Sequence, residues 1–263
     1  MQLWQAIILS IVEGLTEYLP ISSTGHLIIT SWLMGIHQDP FTKDFTVMVQ
    51  FGAILAVVAV YWKKLISDLA LYKRLIVAFL PAGIIGLLVK NKIDLLLGNV
   101  WVVAIALIVG GIALLYTHQI FKNRAQKLKD FDSLTYQQAL ILGLFQCLAF
   151  IPGMSRAAST IWGGLFVGLN INMATQFSFL LALPTLSGAS FIKAIKIAPT
   201  LTQEQLSLLV VGNIISFIVG YLAIRTFMNW VKTKGLESFG VYRIALGLVV
   251  ILILLLGHDL TVL

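Results

Sequence analysis

What this sequence has least of is charge. Asp, Glu, Lys and Arg together make up 11% of its 263 residues, against about a quarter in ordinary soluble domains. Too few polar side chains remain to cover a water-facing surface, which excludes a soluble globular protein. Cysteine is nearly absent. Cys147 stands alone, so an intrachain disulfide and most cysteine metal sites are excluded, and in an apolar stretch it reads as a small core residue. Acidic residues are scarcer than basic ones, 11 against 18, which gives a net charge of +7. That excess is not a nucleic-acid footprint, and no nucleic-acid partner is expected. The basic residues gather in YWKKLISDLALYKR, FKNRAQKLK and NWVKTK, each between apolar runs, as cytoplasmic loops of membrane proteins do. The N-terminus lacks the basic residue and small-residue cleavage site of a signal peptide, so it is expected to be retained.

What is abundant is apolar sequence. Hydrophobic residues reach 59%, with a mean hydropathy of +0.96. Uncharged runs such as Phe45–Trp62 and Gln205–Ile224 approach the roughly 20 residues a bilayer crossing needs. The expected fold is an all-α integral membrane protein. Six spans are expected at Phe45–Trp62, Leu75–Val89, Leu95–Thr117, Phe177–Ile192, Gln205–Ile224 and Gly240–Gly257.

An internal echo sets the architecture. YLPISSTGH (Tyr18–His26) resembles FIPGMSRAA (Phe150–Ala158), with Pro20 matching Pro152 and the serine three places later, Ser23, matching Ser155. FTVMVQFGA from Phe45 matches FSFLLALPT from Phe177 at the same offset of 132 residues. Two matches at one offset indicate a duplicated unit. The expectation is a single membrane domain, 1–263, of two repeats, about 1–117 and 133–263, joined by a basic cytoplasmic loop at 118–132. With Lys63–Arg74 and Lys122–Lys129 inside and His37–Asp44 outside, three crossings separate the two motifs. An odd number inverts the halves, provided each proline-broken segment returns to its own side as a re-entrant helical hairpin. The loop with Lys193 and Lys196 dissents, because this scheme puts both lysines outside.

The first motif carries unusual chemistry for a membrane segment. Glu13 and Glu17 are four apart, so a helix presents both carboxylates on one face. They repel unless a cation sits between them or one is protonated, and the plainer alternative is that they only meet interfacial water. After Pro20, Ser22, Ser23 and Thr24 read as a helix start, with hydroxyls suited to capping and unpaired N–H groups suited to an anion. Ser23 and His26 share a face at a spacing of three, so His26 is a candidate base for a Ser23 nucleophile, with Glu17 to orient the imidazole. A capping serine beside a structural histidine is the plainer reading. In the second motif, PGMSRAAST (Pro152–Thr160), Arg156 brings a planar fork that fits phosphate oxygens, flanked by Ser155, Ser159 and Thr160. A structural ion pair between Arg156 and a glutamate of the other hairpin is the plainer alternative. Arg225 is expected to snorkel to an interface. Gly163, Gly164 and Gly168 are expected to allow close helix packing, since no Walker-type spacing surrounds them.

Together these parts suit a phosphate ester or anhydride on a lipid: Ser23 attacks phosphorus, His26 handles its proton, and Arg156 with backbone N–H groups holds the charge. Diphosphate contacts are expected from Ser22, Thr24, Gly25, Ser155 and Thr160. Glu13 and Glu17 are the metal candidates, for a divalent cation arriving partly with the substrate.

At these residues the sequence resembles the undecaprenyl-diphosphate phosphatase family of bacitracin-resistance membrane proteins. EGLTEYLPISSTGH is close to that family's first signature and PGMSR opens its second, while FQCLAFIPG and FSFLLALP extend the likeness over essentially the whole chain. The resemblance implies hydrolysis of a C55 polyprenyl diphosphate to the monophosphate carrier lipid of cell-wall synthesis, usually with Mg2+ or Ca2+. It implies the bacterial inner membrane, bacterial lipids as surroundings and a site facing its outer side; a homodimer is left open. By motif, Glu13 and Glu17 match the acidic pair, Ser23 the proposed nucleophile, His26 its partner and Arg156 the phosphate-binding arginine; a His26 nucleophile with Ser23 only as a donor is left open. One departure stands out: Ala157 and Ala158 follow Arg156 where many members have Ser and Gly. A transporter or flippase for an anionic polyprenyl lipid is the competing reading, with a non-catalytic scaffold behind it.

Overall fold

The computed structural model describes residues 1–122, 128, 130–258 and 260. Most of the basic segment at 122–129 lies outside the described residues. Among those described, the structure is helical without a strand. In chain order the helices are α1 (Leu3–Thr16), α2 (Ser23–Leu33), α3 (Pro40–Met48), α4 (Gln50–Ser67), α5 (Leu69–Leu88), α6 (Lys90–Leu97) and α7 (Val100–Leu115). There follow α8 (Thr117–Phe121), α9 (Tyr136–Gln146), α10 (Arg156–Val167), α11 (Ile171–Ile197), α12 (Gln203–Lys234) and α13 (Glu237–Leu255).

Local chemistry fixes the boundaries. Asp39 caps α3 by accepting from the Phe41 N–H, and Pro40 fills the first helical position, which has no donor to lose. Thr135 and Thr202 open α9 and α12 with reciprocal capping boxes closed by Gln138 and Gln205. Asp68 alone separates α4 from α5, accepting from the Leu71 N–H. The expected loop Lys63–Arg74 is therefore nearly all helix. Arg74 instead reaches across to Asp132 and to the Leu134 carbonyl.

Five stretches are long and apolar enough to cross a membrane: Pro40–Ser67, Leu69–Leu88, Ile171–Thr200, Gln203–Lys234 and Glu237–Leu255. The sixth expected span, Leu95–Thr117, is shorter than expected. Asn99 caps a new helix there, and α7 holds 16 residues, about 24 Å of rise against a hydrocarbon core of roughly 30 Å. The protein is thus an all-α, multi-pass membrane protein. Two further apolar helices are broken. The α1 piece has 14 residues and α2 has 11, while α9 has 11 and α10 has 12, all too short to cross alone.

After each broken pair, α1–α2 and α9–α10, comes a long apolar stretch, Pro40–Ser67 in one case and Ile171–Thr200 in the other. Helix α1 lies on α12, and α9 lies on α5. Both contacts are backbone-close. A side chain at Gly14 would overlap the Ser216 carbonyl, and one at Gly143 would overlap the Ala78 carbonyl. Helices α7 and α13 pack together along their length. At the end bearing α3, Lys193 forms an ion pair with Asp44. One of the two lysines that dissented from the charge pattern is therefore paired with an acidic side chain of a neighbouring helix.

Candidate active site

Both breaks end in the same unusual residue conformation. Ser22 (φ 69°, ψ 96°) caps α2 and Ser155 (φ 70°, ψ 117°) caps α10, and these are the non-glycine residues with positive φ among those described. An L-residue rarely adopts that conformation, and finding it at the two related breaks ties it to the site. Each serine accepts from the N–H three residues on, Gly25 and Ala158. This corrects the register of the echo. Ser22, not Ser23, is the counterpart of Ser155, because the second break carries one residue more after its proline. Ser23 and Arg156 therefore hold the same first-turn position of the two helices.

Those two residues meet on one carboxylate. Ser23 Oγ donates to Glu17 Oε2 at 2.7 Å, and Arg156 donates to Glu17 Oε1 at 3.0 Å from Nη2 and 3.4 Å from Nε. The Arg156 Nη1 donates to the Ser178 carbonyl at 3.0 Å, and Ser178 in turn shares a 2.6 Å hydroxyl contact with Thr160. Glu17, Ser22, Ser23, Thr24, Ser155 and Arg156 line a cavity of about 120 Å³ between the two breaks. Two helix N-termini border it, each with unpaired N–H groups and the positive end of a helix dipole. The cavity can hold an anion, a serine oxygen and a carboxylate base together.

Other expected site residues do not line the cavity. His26 is not bonded to Ser23 or to Glu17. Its Nδ1 donates to the Ser22 carbonyl at 2.8 Å, so the neutral ring accepts at Nε2 from the Tyr242 hydroxyl at 2.7 Å. The two rings stack at 5.5 Å. The expected serine–histidine–glutamate order is replaced by histidine–tyrosine on one side and serine–glutamate–arginine on the other. Thr160 is fully buried and bonded to the Arg156 carbonyl, so it supports the arginine from behind rather than facing the cavity. Gly25 is buried against Leu107. Glu13 is fully buried one turn before Glu17, and neither of its oxygens has a hydrogen-bond partner. No group of three or more His, Cys, Asp or Glu side chains gathers as a metal site among the described residues.

Three residues of this region were not anticipated. Gln50, at the α3–α4 junction, lines the cavity, and Ser178 receives the arginine. Arg243 matters most. It is fully buried in α13 and donates to the carbonyls of Pro20 at 3.3 Å, Met154 at 3.0 Å, Ala106 at 3.1 Å and Gly153 at 2.8 Å. One guanidinium thus ties both breaks to α7. The signal was present in the sequence, since Arg243 is the one charged residue of the expected span Gly240–Gly257, and a charge inside a span is costly enough to require a function.

Comparison with known proteins agrees with these motifs. Residues 6–249 match the family described as bacitracin resistance protein BacA. An undecaprenyl-diphosphatase of Bdellovibrio bacteriovorus is 48% identical over 255 residues, 97% of each chain. One of Aquifex aeolicus is 44% identical over 247 residues, 94% of this chain and 96% of its own. Undecaprenyl-diphosphatase 1 of Clostridioides difficile is 41% identical over 264 residues, 95% of this chain and 96% of its own.

Proposed function

The chain belongs to the bacitracin resistance protein BacA family, and from that premise we propose that its cavity hydrolyses undecaprenyl diphosphate to undecaprenyl phosphate and inorganic phosphate. The observation that carries the site is the Ser23–Glu17–Arg156 chain, which brings a nucleophile, a base and a phosphate clamp from both halves to one cavity. The terminal phosphate enters and Arg156 exchanges the Glu17 carboxylate for phosphate oxygens, which fit its planar fork equally well. Glu17 takes the Ser23 proton through Oε2, the oxygen already bonded to it, and the departure of Arg156 leaves Oε1 available to a cation. Ser23 Oγ attacks the terminal phosphorus and the bond to the bridging oxygen breaks, so undecaprenyl phosphate leaves. Water then cleaves the phosphoserine and inorganic phosphate departs. The N–H groups at the starts of α2 and α10 and the Arg156 guanidinium hold the charge on the equatorial oxygens in both steps. His26, bonded to the cap carbonyl of Ser22, orients the helix start that carries Ser23.

A divalent cation, Mg2+ or Ca2+, belongs to the same proposal. A buried carboxylate with no partner requires a proton or a cation, and the two free oxygens of Glu13 beside Glu17 fit a hard ion. Glu13 and Glu17 would hold it, with phosphate oxygens and water completing the shell. When bound it neutralises charge on the diphosphate.

The long apolar stretch that follows each broken pair and the matched packing of α1 on α12 and α9 on α5 support two inverted repeats with a site at their junction. The basic ends of α4, α5 and α12 face the cytoplasm in this reading, which opens the cavity to the outer side of the inner membrane. The test is phosphate release from undecaprenyl diphosphate by the purified protein, with Ser23→Ala, Glu17→Gln and Arg156→Ala beside it. Full activity in all three variants would sink the site. Lipid transport in vesicles without phosphate release would favour a flippase.

A further inference from the structure

A lipid diphosphate has a tail as well as a head, and the polar cavity accommodates only the head. The cavity wall includes Gln50 and Leu186. Beside them, on α3, α4 and α11, lies a second hollow of about 540 Å³, lined among others by Met48, Phe51, Ser187, Gly188, Phe191 and Ala194. Its lining is apolar except for two serines. One of these, Ser190, lies four residues beyond Leu186 on the same face of α11 and donates to the Val47 carbonyl at 3.3 Å. The groove therefore lies next to the polar cavity along the seam between the α3–α4 junction and α11, with Phe51 following Gln50 and Ser187 following Leu186.

Two further observations describe the groove. A β-carbon built on Gly188 would meet nothing within 4 Å, whereas most other helical glycines here are pressed against a neighbouring backbone or side chain. This glycine keeps a space open rather than allowing a close contact. Phe51 and Phe191 on either side are 45% and 68% exposed, so the groove opens sideways toward lipid. We propose that this groove holds the first isoprene units of the polyprenyl tail of the substrate. It guides the diphosphate into the cavity from the bilayer and favours a long branched tail over a bare diphosphate. The assignment rests on the reading of the cavity as a polyprenyl diphosphatase site.

The test compares undecaprenyl diphosphate with a C5 prenyl diphosphate on the same purified protein. Gly188→Phe fills the groove and is expected to lower the ratio of kcat/KM for the C55 over the C5 substrate by about tenfold, the discrimination typical of small apolar changes in a binding pocket. Leu222→Phe, on the exposed face of α12, controls for added bulk on the lipid face and is expected to leave the ratio unchanged. In parallel, an undecaprenyl diphosphate analogue with a photoreactive group on its first isoprene unit is applied to the unmodified protein. It is expected to label residues 48–51 and 187–194, with undecaprenyl diphosphate competing and phosphatidylglycerol not. An unchanged ratio in folded Gly188→Phe overturns the proposal. So does labelling elsewhere, or labelling displaced equally by the phospholipid, which would make the groove an ordinary lipid site. The photolabelling arm decides alone if Gly188→Phe does not fold or the C5 compound is not turned over. Failure of the diphosphatase reading looks different: the unmodified protein then releases phosphate from neither substrate.

Discussion

Glu17 and Arg156 lie 139 residues apart in the chain and 3.0 Å apart in space, both nearly buried, and their ion pair joins the two halves of the protein at the broken helices. A buried pair of this kind is not held for stability alone, since desolvating two charges offsets much of their attraction. In the proposed mechanism it keeps a cation and a carboxylate ready for a ligand that replaces one of them.

That exchange makes the arginine fork matter more than its charge. Arg156→Lys retains the charge but reaches Glu17 or a phosphate at one point only. Phosphate release is expected to fall by about 10²-fold in Arg156→Lys and by up to roughly 10³-fold in Arg156→Ala, the range for removing a charge-stabilising donor. Steady-state kinetics on undecaprenyl diphosphate check this, and near-normal turnover with lysine would show that a point charge suffices.

The base is decided by comparing Glu17 with His26. Ser23 is bonded to Glu17, whereas His26 is turned to the Ser22 carbonyl and Tyr242. Glu17→Gln and Ser23→Ala are each expected to lower kcat by about 10²- to 10⁴-fold, the usual worth of a general base and its nucleophile. His26→Asn and Tyr242→Phe are expected to cost about tenfold or less and to resemble each other. Equal losses in His26→Asn and Ser23→Ala would return the proton to the histidine.

Much of this was legible in the sequence because it depends on local chemistry. Membrane character follows from composition, and the broken helices from Pro20 and Pro152 with serines behind them. The spacing of Glu13 and Glu17 held because four residues make about one helical turn. What failed was pairing across space. Ser23 and His26 do share a helix, but side-chain direction and the presence of Tyr242 on α13 decided the histidine's partner, and no spacing rule contains that. The register of the repeat slipped by one at the break, where two similar serines lie side by side and only backbone conformation distinguishes them. The ends of the spans shifted because caps at Asp39, Asp68 and Asn99 overrode the hydropathy boundaries.

Glu13 supplies a separate handle on the cation. Glu13→Gln preserves shape while removing the charge, so the fold is expected to persist. If the two carboxylates hold a divalent ion, the Mg2+ or Ca2+ concentration giving half-maximal activity is expected to rise by about tenfold in Glu13→Gln. Activity titrated from chelator-treated protein measures this. An unmoved activation curve would place any ion elsewhere.

Arg243 fastens both breaks, and its removal leaves the carbonyls of Pro20, Ala106, Gly153 and Met154 without their donor. A buried polar group that loses its partner costs about 1–3 kcal/mol, so Arg243→Met is expected to lower thermal stability markedly as well as activity. The gentler change is Gly110→Ala on α7. Its β-carbon would overlap the Arg243 guanidinium, displacing the side chain without removing its charge and without touching the cavity lining. Gly110→Ala is expected to fold, to bind substrate with little change in KM and to lose about tenfold in kcat, because the two helix starts no longer sit in register around the phosphate. A kcat like that of the unmodified protein in folded Gly110→Ala, together with activity retained in whatever fraction of Arg243→Met folds, would show that the breaks hold their positions without the arginine.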